Sequence, residues 1–222
     1  MKRSDLLIVG TGAMACLFAA RFSMAGIPVM MLGSWPAGVK ALSQNGVKLV
    51  EPDGCEFNTP VSISADPLDC TGMRLGLILV KSWQTERAAQ QLSTCLGQDG
   101  LVLTLQNGVG NREILVQHLG SQRVAVGSTT SGATLLAPGV VRAAGEGVIT
   151  LGIHAQLAPL SDLLGKAGFV VETVSDIQSI QWGKLVINAA INPLTAILGV
   201  SNGELLKRPS SRSLLSDRKS VV

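Results

Sequence analysis

Short continuous apolar runs alternate with stretches of helical spacing along most of the chain. Leu6-Leu7-Ile8-Val9 is unbroken apolar sequence, as expected of a central parallel strand buried on both faces. The run stops at Gly10. Met14, Leu17, Phe18 and Phe22 then recur at helical spacing, and that stretch ends at Gly26. Ile27–Leu32 reads as the next strand, so strand, glycine-rich turn, helix and strand make one βαβ unit within about 30 residues.

The alternation resumes downstream. Leu75–Val80 predicts a strand, Thr85–Leu96 a helix, Leu101–Leu105 a strand ended by Asn107-Gly108, Arg112–Leu119 a helix and Val124–Gly127 a strand. The Gly-, Thr- and Val-rich stretch from Thr129 to Gly152 predicts antiparallel strands closing the sheet. Leu157–Ala167 reads as a helix and Val170–Val174 as the last strand. From Ile177 to Leu198 the pattern is one long helix, broken near Asn192-Pro193. The expectation is an α/β chain: a Rossmann-type doubly wound sheet over residues 1–175, then the start of an all-helical domain over 176–222. That second piece is too small to hold a core of its own. It needs the first domain, a partner chain or further residues to pack against.

Composition narrows the class. Hydrophobic residues at 46% and charged residues at 15% describe a globular chain rather than a disordered one. A net charge of +3 is too weak a bias for nucleic acid and mildly favours an anionic ligand. No apolar run approaches the roughly 20 residues that span a bilayer. Lys2 and Arg3 precede an apolar stretch that Gly10 stops too early for a secretory signal. Cys16, Cys55, Cys70 and Cys95 show no metal or redox spacing, so no metal is expected and the setting reads as cytoplasmic and reducing.

Gly10-Thr11-Gly12-Ala13-Met14-Ala15 matches G-x-G-x-x-G/A between a strand and a helix. Gly10 permits the tight turn, Gly12 lets backbone approach a pyrophosphate, and Ala15 lets helix and strand pack closely. The positive end of the helix then faces the phosphates. An Asp or Glu about 20 positions on marks NAD sites, because it holds the ribose 2′-hydroxyl. Here the sequence is Leu32-Gly33-Ser34, and the nearest downstream acid is Glu51. With no carboxylate to repel a 2′-phosphate, NADP(H) is favoured over NAD. Ser34 can donate a hydrogen bond to that phosphate and Lys40 can reach it, although both positions equally suit ordinary loop residues.

Three polar segments fall where strands end or on the long helix: Val80-Lys81-Ser82-Trp83-Gln84, Gln106-Asn107-Gly108, and Lys184 through Thr195. Lys184, Asn188 and Asn192 recur at i, i+4 and i+8, which aligns an ammonium and two amides on one helical face. A solvated face would favour Glu and Lys over two Asn, which are poorer helix formers.

At these motifs, and at Ser201-Asn202-Gly203-Glu204-Leu205, the sequence resembles the ketopantoate (2-dehydropantoate) reductase family over roughly residues 5–206. The resemblance implies a Rossmann domain followed by a helical one, and NADPH-dependent reduction of 2-dehydropantoate to pantoate on the way to pantothenate and coenzyme A. It implies that Lys184 is the general acid and also binds substrate, with Asn188, Asn192 and Asn202 as substrate-holding amides. Asn107 would lie between cofactor and substrate, Lys81 near the nicotinamide, and the backbone of Ala133 against the cofactor. The resemblance also implies, further along than Val222 in family members, a glutamate that partners the catalytic apparatus and a serine for the substrate carboxylate. The chain is therefore expected to be C-terminally truncated, with uncertain activity. The alternatives are an NADP-binding chain with little turnover and a reductase of another 2-keto acid. His118 and His154, the two histidines, accompany no hydrolase or metal motif. The apolar helix at 177–198 predicts an exposed hydrophobic surface and hence a homodimer.

Overall fold

The computed structural model describes residues 5–200, 202–205 and 207. Its elements are β1 (Leu6–Val9), α1 (Ala13–Met24), β2 (Val29–Leu32), α2 (Pro36–Asn45), β3 (Val47–Val50), β4 (Glu56–Thr59), β5 (Ser62–Ser64) and β6 (Met73–Ile78). There follow α3 (Thr85–Cys95), β7 (Leu96–Thr104), α4 (Asn111–Leu119), β8 (Val124–Thr129), β9 (Ala133–Ala137), β10 (Val140–Ala143) and β11 (Val148–Gly152). The chain then forms α5 (Ala158–Lys166), β12 (Val170–Val174), α6 (Ile177–Leu198) and α7 (Asn202–Leu205).

The main sheet runs in the order β12-β11-β8-β7-β6-β1-β2-β5. Its neighbours are parallel except β8 and β11, which pair antiparallel. Alternate residues of a strand face opposite sides, and β1 shows the consequence. Leu6 and Ile8 enter a core with α1 and α5, while Leu7 and Val9 enter a second core with α3 and α4. Burial on both faces is why β1 carries no polar residue. Each such side chain contributes about 1.5–3 kcal/mol on leaving water.

Helix α1 lies between the main sheet and a second, four-stranded sheet, β4-β3-β10-β9. Val47, Leu49, Val141 and Ala143 of that sheet share the core of Phe18 and Phe22, and Phe169 stacks on Phe18 with ring centroids 4.3 Å apart. Arg21, near the end of α1, grips Glu51 with both nitrogens, at 2.6 and 2.8 Å, and so ties the helix to the end of β3.

The second sheet corrects the expectation for Thr129–Gly152. Only β11 returns to the main sheet; β9 and β10 leave it, and β10 pairs in parallel with β3. The expected break near Asn192-Pro193 is also corrected, because α6 runs continuously with Pro193 inside it. The Thr195 hydroxyl bonds back to the helix, donating to the Asn192 carbonyl at 2.9 Å and to that of Ile191 at 3.3 Å.

Two compact units result. One holds the chain up to Gln106 together with Gly110–Ile177; the other holds Asn107–Val109 and the residues from Gln178 onward. Within the second unit, Leu205 of α7 packs with Ala190 and Leu194 of α6, and Ile191 and Val200 close around them. No helix among the described residues is long and apolar enough to cross a membrane.

Candidate functional site

In the first unit β1 lies between β2 and β6, and the chain reverses its direction of travel across the sheet at that point. A ligand crevice opens outside the carboxyl ends of strands at such a switch. The glycine-rich loop sits there. Gly10 adopts φ +129°, a conformation that suits glycine, and a Cβ built on it would press on Leu79 and Val80 at 3.3 Å. Its N–H donates to the Leu32 carbonyl at 2.8 Å, while Leu79 donates back to Val9 at 3.0 Å. The loop is thereby clamped between the ends of β2 and β6.

Gly12 differs. Its φ of −83° is ordinary, it is exposed, and a Cβ built there would meet nothing within 4 Å. Nothing in the protein's own packing requires glycine at 12, so the open space fits the close approach of a phosphate group. Gly12 is also the N-cap of α1 and supplies no capping side chain, which leaves the first turn of the helix to an anion. Thr11 packs beneath against Gly33, and Cys16 donates its thiol to the Thr11 carbonyl at 3.6 Å. Burial pushes the Cys16 thiol up to about 12, so it is an inert brace rather than a nucleophile.

Of the other predicted cofactor residues, Ser34 is exposed just past β2 and Lys81 is exposed just past β6. Ala133 opens β9, half-buried, after the loop that leaves β8. In that loop the Ser131 hydroxyl is buried with no hydrogen-bond partner among the described residues. Glu51, the nearest acid in sequence after β2, is held by Arg21 instead of standing at the loop.

A buried polar network within the first unit, missed in the sequence, joins the turn after β6 to the end of β7 and the start of α4. The Gln106 amide donates to the Val80 carbonyl at 3.0 Å and to the Thr85 hydroxyl at 2.9 Å. Thr104 donates to Gln106 at 2.9 Å, and Thr85 lies 2.9 Å from Asn111 Oδ1. Gln106 stood in a recognisable motif. Thr85 and Asn111 carried no sequence signal, because their partnership spans 26 residues.

In the second unit, Asn107–Val109 is grouped with α6. On that helix Lys184 and Asn188 are half-buried and Asn192 is exposed. Partial burial draws the Lys184 ammonium below the ordinary lysine value. Asn107 is exposed. Asn202 begins α7, and its side chain lies outside the described residues.

The model of the family "Ketopantoate reductase PanE/ApbA" matches residues 6–156, and its C-terminal counterpart matches residues 176–217. The chain belongs to the ketopantoate reductase family. A 2-dehydropantoate 2-reductase of Halobacterium salinarum is 32% identical over 216 residues, which cover 95% of this chain and 71% of the relative. A crystal structure of a PanE/ApbA family ketopantoate reductase from Ralstonia eutropha superposes with a TM-score of 0.85 at 31% identity, covering 96% of this chain and 70% of that one. The ternary structure of D-mandelate dehydrogenase with NADH and anilino(oxo)acetate gives 0.87 at 24% identity, with 95% and 69% covered, a likeness of fold alone. The family is one of nicotinamide-dependent oxidoreductases, and its Rossmann-like sheet accounts for the crevice at β1 and β6.

Proposed function

We propose that this chain carries out the NADPH-dependent reduction of 2-dehydropantoate to pantoate, a step toward pantothenate and coenzyme A. The observation that carries the reading is the open, uncapped Gly12 at the switch point of a sheet whose family consists of ketopantoate reductases. Gly10, Thr11, Gly12, Ala13, Met14 and Ala15 would hold the pyrophosphate, with Ser34 toward the adenosine side and Lys81, Asn107 and Ala133 toward the nicotinamide. The absence of a carboxylate from Leu32 to Leu42, together with the engagement of Glu51 by Arg21, supports NADPH over NADH. When bound, the reduced nicotinamide supplies hydride to the keto carbon.

Lys184 is the general acid. Its ammonium donates a proton to the carbonyl oxygen as negative charge develops there, and partial burial makes that proton easier to give. Asn188, Asn192, Asn202 and Asn107 offer amides to the substrate's hydroxyl and carboxylate. We read the residues from 176 onward as the start of a helical substrate domain, and the chain as cytoplasmic. A homodimer that covers exposed Ile180, Ile187 and Ile197 of α6 completes the reading. A monodisperse monomer by light scattering removes that last element.

The deciding experiment mixes the purified chain with NADPH and ketopantoate and follows nicotinamide absorbance. Consumption that vanishes in Lys184→Ala supports the reductase. Tight NADPH binding without turnover replaces it with an NADP-binding protein, and faster turnover of another 2-keto acid changes the substrate.

A further inference from the structure

All three tryptophans stand exposed, Trp35 at 40%, Trp182 at 56% and Trp83 at 80%. The aromatic residues of the core are instead Phe18 and Phe22. Trp35 is poorly explained by its place in the chain. It is the N-cap of α2, a position that favours Ser, Thr, Asp or Asn, and an indole N–H cannot accept the bond such a cap provides. No side-chain cap forms there. The ring folds instead onto the first turn of its own helix. A Cβ built on Gly38 would stand 2.5 Å from Trp35 Cε3, 3.1 Å from Cζ3 and 3.3 Å from Thr11 Oγ1. Glycine at 38 therefore makes a seat for the indole beside the glycine-rich loop. That seat lies immediately beyond the carboxyl end of β2. Once a pyrophosphate rests on α1, the end of that strand faces the adenosine half of a dinucleotide.

We infer that Trp35 is the stacking platform for the adenine ring of the nicotinamide dinucleotide. The assignment rests on the dinucleotide reading of the Gly10–Ala15 loop given above. Adenine presents a flat, uncharged π-face, and stacking it on the indole covers apolar surface that the fold leaves in water. The seat at Gly38 holds the ring in place before the ligand arrives, so little side-chain freedom is lost on binding.

The double variant Trp83→Phe, Trp182→Phe leaves Trp35 as the sole tryptophan, and its emission is followed during titration. ADP-ribose and its 2′-phosphate, which lack nicotinamide, quench it at saturation, whereas nicotinamide mononucleotide, which lacks adenine, does not. With the other tryptophans in place, Trp35→Ala weakens binding of these probes about tenfold, and Trp35→Phe stays within about threefold of wild type. Both variants unfold at the wild-type temperature. Emission that ignores saturating ADP-ribose, or Trp35→Ala binding it as tightly as wild type, overturns the assignment while leaving the dinucleotide site intact. A wild-type chain that binds neither ADP-ribose nor NADPH overturns the dinucleotide reading and this assignment with it.

Discussion

Helix α1 buries seven of its 12 residues, with Phe18 and Phe22 wholly inside, whereas the 22-residue α6 buries only Ala190 and Leu194. Both helices are predominantly apolar. Ile180, Trp182, Ile187, Ile197 and Leu198 of α6 nevertheless remain exposed, Ile197 at 76%. A run of apolar residues at helical spacing thus predicts that a helix forms but not that its face is covered. Coverage depends on what else the chain brings near, and α1 has a sheet on each side. In the proposed reading the two helices also divide the chemistry. The first presents backbone N–H groups at its end, and the second presents an ammonium and amides along one side.

That contrast can be tested most sharply at Lys184. Lys184→Ala is expected to lower turnover by about 10²–10⁴-fold while NADPH still binds the first unit, as measured by stopped-flow kinetics beside fluorescence titration. A comparable loss of binding would mean that the two helices do not divide the labour. Phe18→Ala tests the other side of the contrast. Deleting a wholly buried ring should cost about 3–5 kcal/mol of stability, read from denaturant midpoints. At Gly12 a side chain meets no protein atom, so Gly12→Val should fold normally yet weaken NADPH by at least about tenfold, through the lost backbone approach. If Gly12→Val unfolds the chain instead, the open space is structural.

The pH profile carries a subtler prediction. A general acid acts only while protonated, and burial places the Lys184 transition below that of an exposed lysine. Turnover should therefore fall with rising pH before ordinary lysines titrate. Lys184→Arg, charged throughout and a poor proton donor, should turn over slowly, and its residual rate should show no such alkaline decline. The smallest effect is expected on the α6 face of the dissociated chain, where Ile187→Ala, measured at dilutions at which the homodimer has come apart, should change stability by no more than about 0.5 kcal/mol. A larger cost at those dilutions would show that the face is covered within a single chain.

Much of the site could be read along the chain because its parts are local. Gly10 through Ala15 announce a phosphate loop through their order alone, and Lys184, Asn188 and Asn192 share a face because a helix repeats every 3.6 residues. The second sheet could not be read in this way. Val47–Val50 and Val140–Ala143 are four-residue strands about 90 residues apart in sequence, and their parallel pairing exists only once α1 lies between the sheets. The expectation of a break at Pro193 failed for a separate reason. A proline removes one donor and crowds the preceding turn, but α6 continues through Pro193, because the loss of a single bond does not by itself end a helix.

By itself, then, the sequence determined the central βαβ unit, the glycine loop and the polar stripe of the long helix, since each depends on spacing within a few turns. Only the tertiary structure decided that β9 and β10 would leave the main sheet, that Glu51 would be held by Arg21, and that Gln106, Thr85 and Asn111 would brace two loops. It also decided that Trp35 would be seated on Gly38. These are pairings between groups whose separation along the chain carries no information about their distance in space.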